Sequence, residues 1–297
     1  MTERPRPIRD AEGLRLFQGD ASRVLSGLPK ASIDMAYSDP PFGNMQDWTG
    51  SAGSFSDKWK PGPESARGWE ALAQHSPDGA MMVGAATAGL SGSMRAYIGT
   101  MACLVVAVHR VLKPTGTFWL HFDDTAGAHL RILCEAVFGP GAEVGSLVWR
   151  RTAGAKSNVK GFGRVHDTIA CYARSEAAKW RLWRFGTVGG DPISGEGWPP
   201  RFAAFAEAAP LNQASRERVG YPTQKPIALL KELIRAATRQ GDLILDPTMG
   251  SGTTILAAIN LGRRAIGIDL SQDALRAAEA RLCLTSAQPS FSLGASA

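Results

Sequence analysis

Apolar and polar positions follow clear periods in the first 40 residues and again after residue 225. Leu14-Arg15-Leu16-Phe17 and Ile33-Asp34-Met35-Ala36-Tyr37 predict strands that run into acidic tips, Gly19-Asp20 and Asp39, with a short helix over Ala21 to Leu28 between them. Pro226 to Thr238 sets Ile227, Leu230, Leu233, Ile234 and Ala237 on one helical face, with Pro226 in the first turn. Leu243-Ile244-Leu245 is apolar throughout, as a strand buried on both faces must be. A glycine turn follows, then a helix from Thr253 to Leu261, a break at Gly262, a strand over Ala265 to Ile268, and a helix through Leu282 that Ser271 can cap. This strand-helix-strand-helix run predicts an α/β fold with a doubly wound, mostly parallel sheet.

The middle of the chain is less regular. Gly43 to Ser93 is rich in Gly, Ser and Pro and carries Trp48, Phe55, Trp59 and Trp69 without a clear period. It predicts a long mobile insertion with little helix, placed where a lid over the Asp39 tip would be. Met94 to Leu112 reads as a helix stopped by Lys113-Pro114, Thr117 to Phe122 as a strand, and Ala126 to Val137 as a helix. Ser146 to Arg151 and Asp167 to Arg174 alternate like neighbouring strands, and from Ser175 to Gly220 the periodicity fails. One domain over residues 13–285 follows, with an insertion at 43–93, an irregular segment at 175–220, and flexible tails at 1–12 and 286–297.

At 297 residues with 44% hydrophobic content the chain can bury an ordinary core. The longest apolar run, Met101 to Val108, is too short to span a bilayer and no signal-peptide pattern opens the chain, so the expected location is cytoplasmic with no membrane partner. Cys103, Cys134, Cys171 and Cys283 lack metal-ligand spacing, so no metal is expected and the cysteines read as buried free thiols. None follows a proline, which argues against cytosine C5 chemistry. The net charge of +6 is concentrated between Trp149 and Arg184, where nine cations oppose Asp167 and Glu176 for a local balance of +7. Trp149, Phe162, Tyr172, Trp180 and Trp183 are interleaved with them, as a surface that tracks phosphates and stacks bases requires.

Two short stretches carry the candidate chemistry. In the turn Asp246-Pro247-Thr248-Met249-Gly250-Ser251-Gly252-Thr253 the glycines let backbone amides and a helix N-terminus approach a ligand. The third glycine of the dinucleotide fingerprint is missing and no Gly-Lys-Thr follows, so neither NAD nor a nucleoside triphosphate is favoured. Asp269, nineteen residues after Gly250, stands at the next strand tip, where a carboxylate can accept both ribose hydroxyls of an adenosine-bearing cofactor. The second stretch is Asp39-Pro40-Pro41-Phe42. An exocyclic amine on adenine or cytosine is a poor nucleophile because its lone pair is delocalised into the ring. The Asp39 carboxylate and the Pro40 carbonyl could accept its two hydrogens, the paired prolines hold the tip stiff, and Phe42 offers a face to an extruded base.

At these residues the chain resembles the beta group of DNA amino-methyltransferases of restriction-modification and orphan systems, over roughly Leu14 to Leu282. In that group the catalytic tetrapeptide precedes the glycine turn, a circularly permuted motif order on a Rossmann-like methyltransferase fold. The resemblance implies S-adenosyl-L-methionine as cofactor and DNA as substrate. A homodimer and a cognate restriction endonuclease enter as partners by the same analogy, in a prokaryotic or phage-encoded system.

Residue by residue, Phe17-Gln18-Gly19-Asp20 is similar to the strand end whose acid contacts the cofactor's adenine. Gly220-Tyr221-Pro222-Thr223-Gln224-Lys225-Pro226 is similar to the motif in which Thr223, Gln224 and Lys225 line the methionine end. Asp246, Gly250, Ser251, Gly252, Thr253 and Asp269 fall on the remaining cofactor motif, though Thr248 stands where the family commonly has phenylalanine. Arg150, Arg151, Lys156, Lys160, Arg164, Lys179, Arg181 and Arg184 would face DNA, and the segment 175–220 falls where target recognition would lie. Val165-His166-Asp167 resembles a segment beside the target-base pocket, with His166 read as structural rather than as an acid or base. Asp before Pro-Pro goes mostly with adenine N6 and Ser mostly with cytosine N4, so adenine is the expected base. A non-catalytic nucleic-acid-binding subunit on the same fold and an RNA methyltransferase are the competing readings.

Overall fold

The computed structural model describes residues 6–11, 13–151, 164–179, 205–206, 208–212 and 214–286. Their strands are β1 (Arg9–Ala11), β2 (Leu14–Gln18), β3 (Ile33–Ser38), β4 (Asp47–Gly50), β5 (Gly53–Ser56), β6 (Leu112–Phe122), β7 (Glu143–Arg150), β8 (His166–Ala173), β9 (Phe205–Ala206), β10 (Leu243–Asp246) and β11 (Arg264–Asp269). The helices are α1 (Ala21–Gly27), α2 (Pro63–His75), α3 (Pro77–Thr87), α4 (Gly92–Val111), α5 (Gly127–Phe138), α6 (Ile227–Ala237), α7 (Thr253–Asn260) and α8 (Gln272–Ser286).

Nine strands form one sheet in the order β1-β2-β11-β10-β3-β6-β8-β7-β9, and β4 and β5 form a separate hairpin. From β2 to β6 the neighbours are parallel, while β8 runs antiparallel to both β6 and β7. The expected mostly parallel sheet is therefore present. Every residue of β3 is buried, because the strand lies between β10 and β6 with helices over both faces. One face carries α1, α2, α4 and α5 against Phe118, Leu120 and Phe122; the other carries α6, α7 and α8 against Met35, Tyr37 and Trp119. The amino ends of three central strands are tied by one buried carboxylate: Asp34 Oδ2 accepts from Lys113 Nζ at 2.8 Å and from the Leu243 amide at 3.0 Å.

Several expectations need correction. The segment 43–93 is not a mobile stretch with little helix, since it forms the β4–β5 hairpin and helices α2 and α3. Apolar residues spread over two short helices joined at Ser76, whose side chain caps α3, leave too few turns for a period to show in the sequence. The hairpin packs on the loop before α6: Ala52 N donates to the Gly220 carbonyl at 3.2 Å, and a Cβ at Gly50 would lie 2.2 Å from that same oxygen. The tail 1–12 contributes the edge strand β1, and α8 reaches Ser286. Pro226 is the residue before α6 rather than part of its first turn.

Cys134 and Cys171 are buried, and burial pushes both thiols well above their usual range, but Cys103 is half-buried and Cys283 exposed. Helix α4 alone among the described helices is long and apolar enough to cross a membrane, and most of that stretch is buried in the core. The segment 175–220 and the tail 286–297 lie largely outside the described residues.

Helices α2 and α4 cross at two glycines. A Cβ at Gly68 would stand 1.6 Å from the Gly99 carbonyl oxygen, and one at Gly99 would stand 2.7 Å from the Ser65 carbonyl oxygen. Backbone-to-backbone contact at this distance admits no side chain. Gly68→Ala should therefore lower stability by about 1 to 3 kcal/mol, the usual cost of overpacking, measured by denaturant unfolding. An unchanged midpoint would show that α2 is free to shift away from α4.

Candidate active site

The parallel pairing of β3 with β10 sets Met35 beside Ile244 and Ala36 beside Leu245, so both strands end on the same edge of the sheet. Ser38-Asp39 thus emerges next to Asp246-Pro247-Thr248, although Ser38 and Thr248 are 210 residues apart in sequence. The junction is bonded directly. Thr248 Oγ1 lies 2.9 Å from Ser38 Oγ and accepts from the Asp39 amide at 3.1 Å. The threonine that departs from the family's usual phenylalanine is thus the residue that joins the two motifs.

Asp39 is the centre of a polar cluster. Its Oδ2 accepts from Lys225 Nζ at 2.5 Å, and its Oδ1 stands 3.9 Å from His121 Nδ1, beyond hydrogen-bonding distance. His121 is fully buried: Nδ1 meets the Tyr37 hydroxyl at 2.8 Å and Nε2 meets Asp167 Oδ2 at 3.2 Å. Burial opposes the charge on Asp167, but its hydrogen bond to His121 and the cations Lys225 and Arg151 outweigh that and hold the carboxyl below its usual range. Phe42 is partly buried, its ring centroid 5.8 Å from that of His121 and 5.5 Å from Lys225 Nζ. Pro40 is buried behind it.

The chain beyond Phe42 is held by a second carboxylate. Asp57, completely buried, accepts from the amides of Gly43 (2.9 Å) and Asn44 (2.8 Å) and from Trp59 Nε1 (2.7 Å). Burial raises its carboxyl above the ordinary range, with these donors opposing the shift. The insertion's hairpin end therefore steadies the Asp39–Phe42 tip from one side.

The glycine turn connects β10 to α7. Gly250 and Gly252 take φ of 50° and 73°, in the left-handed region that favours glycine. A Cβ at Gly252 would lie 2.7 Å from Ala278 Cβ on α8. Asp269, at the tip of β11, accepts from the Gly250 amide at 2.9 Å and from the Ser271 amide at 2.8 Å. Burial raises its carboxyl against the pull of these amides. Asp20 reaches the same edge at the end of β2 and caps α1, accepting from the Arg23 amide at 3.0 Å.

Not every expected cofactor residue points toward this edge. Ser251 and Thr253 are buried, and both side chains meet Arg281 Nη1, at 3.2 and 2.8 Å. Gln224 closes its own loop, accepting from the Val219 amide at 3.0 Å and donating to the Glu217 carbonyl at 2.8 Å. Thr223 is exposed with φ of 58°. Lys225 engages the Asp39 carboxylate.

The basic segment divides. Arg164 Nη1 reaches Thr125 Oγ1 at 3.2 Å and Arg151 lies 3.4 Å from Asp167 Oδ1, so both belong to the rim of the Asp39 pocket. Arg150 is exposed at the end of β7. Lys179 sits at the opposite end of the sheet, beyond the β8 terminus that pairs with Thr117, and binds Glu176 at 2.6 Å. Trp149 and Tyr172 are buried core residues, not stacking platforms. Lys156, Lys160, Phe162, Trp180, Arg181, Trp183 and Arg184 lie outside the described residues. His166 is partly exposed and 4.0 Å from Asp124, consistent with a structural role.

His121, Tyr37, Asp57 and Arg281 have no motif to mark them; their partners are 84, 84, 14 and 30 residues away. Asp246, by contrast, is marked in the sequence. It is fully buried, and desolvation pushes its carboxyl up to about 7; Asp39 and Asp269 add to the shift, while hydrogen bonds from Thr254 and the Thr248 amide oppose it. A folded-state value above the ordinary 3.8 means that the native protein holds this proton more tightly than the unfolded chain. Asp246 therefore costs stability increasingly as pH rises from about 4 toward 7. Asp246→Asn should raise the cofactor-free thermal midpoint at pH 8 and leave it nearly unchanged at pH 4. An equal effect at both values would show that Asp246 titrates normally.

Comparisons with known proteins agree with this geometry. Along 93% of its length the chain is 24% identical to the DNA adenine methyltransferase YhdJ of Escherichia coli (strain K12), covering 84% of that protein. A stretch of 62 residues is 55% identical to the type II methyltransferase M2.DpnII of Streptococcus pneumoniae, covering 21% of this chain and 23% of the relative. The fold matches the PvuII DNA methyltransferase (cytosine-N4-specific) with a TM-score of 0.60 at 17% identity, over 90% of this chain and 86% of that one. It also matches a DNA modification methylase of Thermus thermophilus, TTHA0409, solved with S-adenosyl-L-methionine, with a TM-score of 0.56 at 17% identity over 91% and 93%. The N6/N4 DNA methylase model matches residues 33–280, a span that holds both the Asp39 tip and the glycine turn, and the protein belongs to that family.

Proposed function

We propose that the protein transfers a methyl group from S-adenosyl-L-methionine to the exocyclic N6 amine of adenine in DNA, after the base is turned out of the duplex. The observation that carries this reading is the bonded junction of the Asp39 tip with the glycine turn through Thr248. It puts a carboxylate suited to an amino group beside a turn suited to an adenosine-bearing cofactor. The residues present fit such a cofactor: two glycines in the left-handed region open the turn, and Asp269 and Asp20 stand at neighbouring strand tips. When bound, S-adenosyl-L-methionine supplies an electrophilic methyl group.

The chain's own residues then do the rest. Asp39 Oδ1 and the Pro40 carbonyl accept the two amino hydrogens, which favours a tetrahedral nitrogen with its lone pair free of the ring. Phe42 stacks on the extruded base, an interaction worth about 1 to 3 kcal/mol. Arg151 and Arg164 at the pocket rim lie where the displaced strand's phosphates would pass. Adenine is favoured over cytosine by Asp, rather than Ser, before Pro-Pro, and by the adenine specificity of the relative matched over 93% of the chain.

Incubation with unmethylated genomic DNA and methyl-deuterated S-adenosyl-L-methionine, followed by nucleoside mass spectrometry, should yield labelled N6-methyladenine. Labelled N4-methylcytosine would replace the base but keep the mechanism, and the absence of any labelled base would overturn the reading. Asp39→Ala should reduce transfer by about 100- to 1,000-fold or more, as loss of a preorganised polar group does, with cofactor affinity retained in calorimetry. Turnover near the wild-type rate would remove Asp39 from the mechanism.

A further inference from the structure

We infer that Lys225 is a positioning residue for the transfer reaction: its buried ammonium holds one oxygen of Asp39 so that the other faces the target amine. Family analogy sets Lys225 at the methionine end of the cofactor pocket, and the geometry points to a different partner. Lys225 is 9% exposed, and its Nζ lies 2.5 Å from Asp39 Oδ2. A buried ammonium is tolerated only when paired, and Asp39 is the carboxylate it meets at hydrogen-bonding distance.

The loop that carries Lys225 is braced for this purpose. Gln224 bonds the Val219 amide and the Glu217 carbonyl, the Ile227 amide donates to Glu217 Oε1 at 2.7 Å, and Pro226 fixes φ at −67°. Lys225 therefore enters the pocket from a backbone that cannot follow its side chain.

The two oxygens of Asp39 are consequently unlike. Oδ2 is committed to Lys225. Oδ1 stands 3.9 Å from His121 Nδ1, and that nitrogen is already bonded to the Tyr37 hydroxyl at 2.8 Å. With the Asp39 amide on Thr248 Oγ1 and Oδ2 on Lys225, the carboxylate is held at both ends, and Oδ1 is the atom left to accept from a substrate. The same ammonium lies 5.5 Å from the Phe42 ring centroid, so its placement also bears on the ring against which the base would stack. Its charge is felt by Asp167 as well, so it offsets two carboxylates in a largely buried pocket.

This rests on the reading of Asp39 as the acceptor of the amino hydrogen, and the test separates the two. Wild type, Lys225→Met and Lys225→Arg are compared in single-turnover transfer from methyl-deuterated S-adenosyl-L-methionine at saturating DNA and cofactor. Calorimetric titration with S-adenosyl-L-methionine runs in parallel and shows that each variant is folded. Lys225→Met should slow transfer by about 100-fold, the scale of a misplaced catalytic group, while cofactor Kd moves by less than about 3-fold, as uniform binding outside the site implies. Lys225→Arg, which keeps a cation on the carboxylate, should recover about 10-fold of that loss.

Transfer by Lys225→Met at the wild-type rate would overturn the inference. So would a cofactor Kd that weakens in proportion to the rate, or Lys225→Arg no faster than Lys225→Met. A wild-type protein that labels no base would instead overturn the underlying reading of Asp39.

Discussion

The arrangement depends on the pairing of β3 with β10. Two short parallel strands from opposite ends of the chain lie side by side, and their shared carboxyl edge is the one place where an acidic tip and a glycine turn can meet. Parallel strands require long crossovers, and here the crossover from β3 to β10 holds most of the protein. The Thr248 hydroxyl completes the join, bonding Ser38 and the Asp39 amide across the seam. Phenylalanine at this position could pack against the turn but could not hold the neighbouring backbone, so the departure from the family's common residue leaves a different kind of junction.

Charge in the pocket is balanced within a few ångströms. Asp39, Asp167 and Asp246 converge on one buried region, which would be prohibitive for three bare carboxylates. Lys225 meets the first, His121 and Arg151 meet the second, and Asp246 is pushed toward its neutral form. These partners come from the loop before α6, from β6 and from the end of β7, elements remote from one another in sequence. A substrate with two hydrogen-bond donors enters a site whose negative charge is already matched, leaving Asp39 Oδ1 to receive it.

The outer thirds of the fold were readable from sequence because each apolar run there serves one element. Leu243 to Leu245 and Ile33 to Tyr37 are buried on both sides and show it as near-continuous hydrophobicity. The insertion failed to read because α2 packs on α4 through Gly68 and Gly99, residues that carry no hydrophobic signal. Within the site, Asp39, Asp246, Gly250 and Asp269 lie in contiguous motifs, and local spacing sufficed to find them. His121 and Tyr37 meet only through strand register, and the partnership of Lys225 with Asp39 spans 186 residues, so no local pattern holds either. The interleaved cations and aromatics misled because β7 and β8 alternate faces: Trp149 turns inward while Arg150 turns out.

The seam between Asp39 and Thr248 also sets a clock on biosynthesis. The two residues are 209 positions apart, so at roughly 5 to 20 residues per second a ribosome delivers the second about 10 to 40 s after the first. Throughout that interval β3, apolar on both faces, has left the exit tunnel without the partner that covers one of its edges. The reaction centre cannot exist in any nascent chain that stops short of β10, so a truncated product binds neither half of the chemistry to the other and methylates nothing.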